Sequence, residues 1–250
     1  MTARWQTAWI TGASTGIGCE LALRLARQGV RVAASARSEE KLAELAAAHP
    51  NIFPAPLDVT VREDVAATHA RIIAEFGAID LAVMNAGVWD PMGAEDYDAA
   101  RAARTMEVNY GGIANALEPL IPAMLIRGKG QIALVSSVAG YRGLPKAIAY
   151  APSKAAVISL AEVLKLDLER HGIVVSLINP GFVDTPMTRV NDFPMPFMVS
   201  SEAAVDRILR GLERGQFEIA FPWRLVGALK LLRILPYSFY FSVVRRLPRT

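Results

Sequence analysis

With a single cysteine, this chain can form no internal disulfide and no cysteine metal cluster. Cys19, placed on the first predicted helix, reads as a small buried apolar residue rather than a reactive thiol. Histidine is scarce as well: His49, His69 and His171 stand far apart without metal-ligand spacing, so no metal is expected. The opening M-T-A-R-W-Q-T-A-W-I-T-G lacks the basic start, apolar run and cleavage site of a signal peptide. A cytoplasmic location is expected. No Ser- or Pro-rich linker, low-complexity stretch or internal repeat divides the 250 residues, and 52% hydrophobic content is enough to bury a large core. One domain over 1–220 is expected. The last absence is of acid: all 24 Asp and Glu lie at or before Glu218, whereas Arg224, Lys230, Arg233, Arg245, Arg246 and Arg249 follow it. A net charge of +3 is too small to imply nucleic acid, but residues 221–250 form a basic, apolar extension.

What is present is a rhythm of short apolar runs and longer amphipathic ones. Strands are expected to start near Thr7, Val30, Ile52, Ile79, Gln131, Ile173 and Phe217. Their continuous apolar character, without strict alternation, is what burial of both sheet faces requires. Helices are expected over Ile17–Gln28, Glu39–Ala48, Arg62–Phe76, about Tyr97–Ile126, about Tyr150–Arg170 and Ser201–Arg214, several closed by a glycine (Gly29, Gly77, Gly172, Gly215). The alternation predicts an α/β fold of the doubly wound, Rossmann type, with a seven-stranded parallel sheet between two helical layers.

Between the first strand and first helix lies T-G-A-S-T-G-I-G, Thr11 to Gly18. Gly12 permits a tight turn, Gly16 and Gly18 allow close backbone approach, and the N–H groups opening the helix attract an anion such as a pyrophosphate. Glycines in a loop also occur for structural reasons alone; their position in the first strand-to-helix turn favours the binding reading. Farther on, Tyr150 and Lys154 stand four apart, so on a helix they share one face. An ammonium beside a phenol lowers its pKa, which makes Tyr150 a candidate general acid or base. Ser137, thirteen residues earlier at the end of a predicted strand, is placed to hold a reacting oxygen. Ser136 is the second choice, because neighbouring strand residues point to opposite faces.

In these motifs the chain resembles the short-chain dehydrogenase/reductase superfamily over roughly residues 5–220. The signs, in order, are the T-G-x-x-x-G-x-G turn, Asp58-Val59, Asn85-Ala86-Gly87, Asn109, Ser136-Ser137, Tyr150-x-x-x-Lys154 and the run from Pro180 to Thr185. The resemblance implies a catalytic set of Asn109, Ser137, Tyr150 and Lys154, with Asn109 holding a water that links Lys154 to solvent. It implies that Gly12, Ser14, Thr15, Gly16, Ile17 and Gly18 hold the cofactor's phosphates. Asp58 and Val59 would contact adenine and Asn85, Ala86 and Gly87 would support the sugar; Pro180, Gly181, Val183 and Thr185 would cover the nicotinamide, with Tyr150 and Lys154 beside it. Relatives that prefer NAD(H) place an Asp after the second strand, whereas this chain has Ala36 and then Arg37. A guanidinium suits a 2′-phosphate, so NADP(H) is favoured over NAD(H). Arg37 as a strand cap or adenine-stacking group stays open, since Thr15 stands where many NADP-type relatives carry a second basic residue.

The activity implied is direct hydride transfer between nicotinamide and a carbonyl or alcohol, with no metal and no covalent intermediate. Trp89, Tyr141, Leu144, Met187, Phe193, Met195, Phe197 and Met198 are expected to overhang the site, with Pro186–Ser200 as a lid, pointing to a lipophilic small-molecule substrate. A catalytically idle nucleotide-sensing or scaffold protein is the alternative, disfavoured by the intact Ser137, Tyr150 and Lys154; an epimerase or dehydratase would normally carry a longer C-terminal substrate domain. A homodimer or homotetramer is expected from the resemblance. For the extension at 221–250, three placements are open: a lipid interface as a peripheral membrane contact, a subunit interface, or the wall of the substrate pocket. Charges and Pro236 argue against a spanning helix.

Overall fold

Each apolar run is buried on both faces, and that is why it forms a parallel strand. In the computed structural model, which describes residues 4–191 and 193–246, the strands are β1 (Thr7–Thr11), β2 (Arg31–Ser35), β3 (Ile52–Pro54), β4 (Leu81–Met84), β5 (Gly130–Val135), β6 (Ile173–Pro180) and β7 (Glu218–Phe221). They make one parallel sheet in the order β3-β2-β1-β4-β5-β6-β7. The order reverses between β1 and β4, so the crossovers leave in opposite directions there and open a crevice at the C-terminal strand ends.

The crossovers are α1 (Gly16–Arg27), α2 (Glu39–Ala48), α3 (Arg62–Phe76), α4 (Ala99–Met106), α5 (Gly112–Arg127), α6 (Tyr150–Leu168) and α7 (Ser201–Glu213). Two cores follow from the strand pleat. Trp9, Met84 and Ile132 face α3, α5 and α6, where Ile72, Leu120 and Val157 meet them. Ile10, Val32 and Val83 face α1, α2 and α7, meeting Leu21, Leu42 and Ile208. At the end of α6 a short 3-10 turn (Glu169–His171) leads into Gly172 in the left-handed region (φ 73°), the closure expected of that glycine.

The continuous helix expected over Tyr97–Ile126 is two helices. It starts at Ala99 because the Asp98 carboxylate accepts from the N–H groups of Ala100 (2.8 Å) and Arg101 (3.0 Å). A π turn at Glu107–Gly111 then interrupts it and aims Asn109 inward. Gly112 resumes the helix against Val59, where a Cβ would come within 2.6 Å of that side chain.

After β7 the chain forms α8 (Trp223–Ile234) and α9 (Tyr237–Val244), broken before Pro236 as its ring requires. Arg249, counted among the basic residues of the extension, lies outside the described residues. Both helices dock on the loop after β5. The Arg142 guanidinium donates to the carbonyls of Leu232 (2.5 Å), Arg233 (3.1 Å) and Leu235 (2.7 Å), adding a charged donor to the last carbonyls of α8. The same cation lies over the rings of Tyr240 (3.9 Å) and Tyr237 (4.8 Å), and the Tyr240 hydroxyl donates to the Gly143 carbonyl.

Candidate active site

The glycine turn is held by its neighbour strand. Gly12 is left-handed (φ 67°), and a Cβ there would stand 2.8 Å from Ala86 Cα. Asn85 clamps this turn: its amide donates to the Thr11 and Gly12 carbonyls, both at 3.1 Å. Thr11 Oγ1 accepts in return from the Asn85 and Ala86 N–H groups, also at 3.1 Å. The sequence reading placed Asn85 beneath a sugar; here it lines the cleft while its amide engages the turn. Thr15, extended before α1, does not cap the helix with its side chain, and the first turn carries no acid. The N–H groups opening α1 therefore offer an anion an uncontested positive end. A Cβ on Gly16 would lie 2.9 Å from Thr185 Cγ2, so the segment after β6 sits directly over the turn.

A cleft of about 350 Å³ runs along the strand ends from Arg37 to Tyr150. Its walls include Gly12, Ser14, Thr15, Gly16 and Ile17 from the turn, Arg37 after β2, Asp58 and Val59, Asn85 to Gly87 after β4, Ser137, Tyr150, Lys154, and Pro180, Gly181, Val183 and Thr185. Two predicted residues stand behind it. Gly18 packs under the turn, with no room for a Cβ between the Gly12 carbonyl and the Asn85 amide. Asn109, fully buried, exchanges hydrogen bonds with Val88 (2.7 Å from its N–H, 3.1 Å to its carbonyl) and donates to Ser153 Oγ (3.0 Å). It nevertheless adjoins Lys154: a Cβ on Gly87 would meet both Asn109 Oδ1 (3.1 Å) and Lys154 Nζ (3.4 Å).

At the Arg37 end, burial opposes ionisation of Asp58, but the Thr60 N–H (3.0 Å) and hydroxyl (2.7 Å) outweigh it, with Arg104 and Arg37 adding to the effect. The carboxyl is held below its ordinary range. Arg104 also lines the cleft, which sequence reasoning missed. An arginine on an exposed helix face carries no motif, and only the packing of α4 over Asp58 brings it there. Leu57 and Val108 were missed as well, since a buried apolar residue outside a motif reads only as core.

At the other end, Ser137 Oγ faces the cleft, accepts from the Ala139 N–H (3.1 Å) and makes a long bond to the Pro180 carbonyl (3.4 Å). Ser136 Oγ instead donates to the Lys154 carbonyl (2.7 Å), anchoring α6. Tyr150 opens α6 with its ring edge against Trp89, the centroids 4.8 Å apart; the Trp89 indole N–H donates to Asn191 in the lid (2.7 Å). Burial pushes the Tyr150 phenol up to about 12, and Ser137 beside it acts in the opposite direction. Lys154, 4% exposed, is lowered to about 8 by burial and donates to the Val135 carbonyl (3.0 Å), its Nζ 5.7 Å from the phenol ring centroid. The expected acidification of Tyr150 by this ammonium is thus not present in this arrangement: desolvation of the phenol dominates.

Of the residues expected to overhang the site, Met187 lines the cleft, while Phe197 and Met198 face outward. Tyr141 departs from expectation. Its ring is in the core and its hydroxyl donates to Glu218 (2.5 Å) on β7, which supplies the acceptor a buried phenol needs. The segment expected to be a lid is tied at its base by Asp184 N–H to the Val199 carbonyl (2.9 Å) and Val199 N–H to the Phe182 carbonyl (3.0 Å).

A doubly wound parallel sheet, an uncapped helix start beside a glycine turn, and a serine, tyrosine and lysine on one cleft define a dinucleotide-binding oxidoreductase class. Residues 6–193 match the short chain dehydrogenase family, and the chain belongs to it. An uncharacterized oxidoreductase of Myxococcus xanthus is 38% identical over 247 residues, covering 97% of this chain and 98% of that protein. A short chain dehydrogenase from Burkholderia cenocepacia, crystallised in complex with NADP, superposes with a TM-score of 0.83 at 29% identity, each chain covered in full. A short-chain dehydrogenase from Streptomyces avermitilis gives 0.82 at 25% identity, covering 99% of this chain and 100% of the other.

Proposed function

We propose that this protein is an NADP(H)-dependent oxidoreductase interconverting a carbonyl and an alcohol on a lipophilic small molecule, with Tyr150 as general acid and base. The observation that carries the reading is that Ser137, Tyr150 and Lys154 share one cleft with the glycine turn and the uncapped start of α1. The residues fit a dinucleotide: the left-handed Gly12 leaves no space for a side chain, and the helix N–H groups are available to a pyrophosphate. When bound, the nicotinamide supplies or accepts the hydride.

The chain's part is to orient the substrate and manage one proton. Ser137 holds the substrate oxygen, and the Tyr150 phenol, neutral at working pH, gives that oxygen its proton in reduction. Lys154 restores the proton to the tyrosine, and Asn109, adjoining it behind Gly87, positions the path to solvent. Ala36 and Arg37 after β2 set no carboxylate against a 2′-phosphate, which favours NADP(H), and the Burkholderia relative was crystallised with NADP. Trp89 against Tyr150, and Val88 and Met187 on the cleft wall, are apolar surface that suits a lipophilic substrate. Assembly as a homodimer or homotetramer through α5 and α6 agrees with the exposure of Ile126, Val163 and Leu166 on those helices. A cytoplasmic location belongs to the same reading.

Tyr150→Phe should leave NADPH affinity, measured by nucleotide fluorescence, within about twofold and cut turnover of a long-chain ketone by roughly 10²–10⁴. Undiminished turnover would remove Tyr150 from the mechanism.

A further inference from the structure

We infer that α8 and α9 form a docking surface for anionic lipid, on which the protein lies without crossing. The inference does not depend on the catalytic reading. A surface helix of a soluble protein turns a polar face outward. The inner side of α8 is apolar as expected, with Leu225, Val226 and Leu229 packed on the core. Its outer side carries large apolar residues among its basic ones: Trp223 and Ile234 are 76% and 77% exposed, with Leu231 between them. On α9, only Tyr240 and Val244 are buried, leaving Tyr237, Phe239, Phe241 and Val243 in solvent. Apolar side chains so exposed on two consecutive helices call for a partner.

Charge selects that partner. Arg224, Arg233, Arg245 and Arg246 are exposed on the same two helices and their ends, no acid follows Glu218 in the sequence, and no carboxylate pairs with these four among the described residues. A second copy of the chain meeting this surface symmetrically would set arginine against arginine. A bilayer of anionic headgroups takes the arginines at its surface and the Trp, Tyr and Phe rings at the level where an apolar body and a wet edge are both satisfied. No helix among the described residues is long and apolar enough to cross a membrane.

The surface adjoins the segments that follow β5 and β6. Arg142, on the loop that begins with Ser137, holds the end of α8, and Leu225 packs where a Cβ on Gly181 would be, at 2.7 Å. Arg224 stands 6.0 Å from the Phe197 ring in the lid. A bilayer on α8 and α9 would therefore lie beside the lid.

Flotation of the full chain tests this, with vesicles of phosphatidylcholine alone and of equal phosphatidylcholine and phosphatidylglycerol. The protein should float with the mixed vesicles at low salt, release at high salt, and bind pure phosphatidylcholine at least about tenfold more weakly. Phe239→Ser with Phe241→Ser should abolish flotation while circular dichroism stays unchanged and the melting temperature falls by no more than a few degrees, the cost of the Phe241 ring contacts with Tyr237 and Tyr240. Arg245→Glu with Arg246→Glu should remove the preference for anionic vesicles. No flotation with either composition overturns the inference, as does flotation indifferent to both double variants. It is equally overturned if sedimentation equilibrium shows a wild-type dimer that the Phe239 and Phe241 replacements convert to monomers, since the surface would then be a contact between copies.

Discussion

Lys154 is the residue whose placement fold stability alone does not explain. Burial lowers its pKa to about 8 from an ordinary 10.5, so the folded state binds this proton less readily than the unfolded chain does. Between those two values the unfolded state holds more protons, and the contribution of Lys154 to stability rises with pH; below about 8 the full penalty of a buried ammonium is present. That penalty is at most about 3 kcal/mol, reduced by the hydrogen bond to Val135, so Lys154→Met should be about 1–2 kcal/mol more stable than the wild type at neutral pH. The advantage should vanish as pH approaches 10.5, and turnover should be lost throughout. The raised phenol of Tyr150 acts in the opposite sense, keeping its stabilisation below pH 10 and losing it above, but both proteins carry it and it cancels. Urea denaturation at a series of pH values measures the difference; a variant less stable than the wild type at pH 7 would show that the contacts of the lysine outweigh its desolvation.

The elements divide by how far apart in sequence their causes lie. Strand positions were readable because a strand buried on both faces must be apolar throughout, and the expected starts at Thr7 and Ile173 coincide with β1 and β6. The glycine turn, Ser137 and the Tyr150–Lys154 pair were readable because their geometry is set within one strand end or one helical turn. The π turn was not, because the partners that draw Asn109 inward, Val88 and Ser153, are 21 and 44 residues away. Tyr141 was misplaced for the same reason, its acceptor Glu218 lying 77 residues on. Arg142 is the most consequential unread residue, since one guanidinium caps α8 and faces two rings of α9. Arg142→Ala should destabilise the protein by about 1–3 kcal/mol and speed amide exchange over α8 and α9 more than over the sheet. Arg142→Lys should restore little, because an ammonium cannot spread over three carbonyls and two aromatic faces. Exchange unchanged in both variants would mean that apolar packing of Leu225 and Val226 holds the helices without the arginine.

At the scale of the whole molecule, the cleft joins segments from both halves of the sheet, with Arg37 after β2 at one end and Tyr150 on α6 at the other. A dinucleotide that spans them ties these segments together in the folded state only, so its affinity appears as added stability. At a hundredfold excess over its dissociation constant the gain is about 2.7 kcal/mol, which for a chain of this size is a rise in melting temperature of about 5–10 °C. If Arg37 receives a 2′-phosphate, NADPH should give that rise at concentrations where NADH gives little, because the two nucleotides differ only in the group that the guanidinium would bind. Arg37→Asp should exchange the two responses, since a carboxylate repels the phosphate and can accept from the ribose hydroxyls. Arg104 sharpens the test: it lines the same end of the cleft, and its pairing with Glu107 (2.8 Å) leaves its charge close to Asp58. Should Arg37→Asp lose the NADPH response only in part, adding Arg104→Ala should remove the remainder. Equal shifts by NADH and NADPH in the wild type would instead show that neither arginine reads the phosphate, and the cofactor preference would fall while the catalytic assignment of Tyr150 stood.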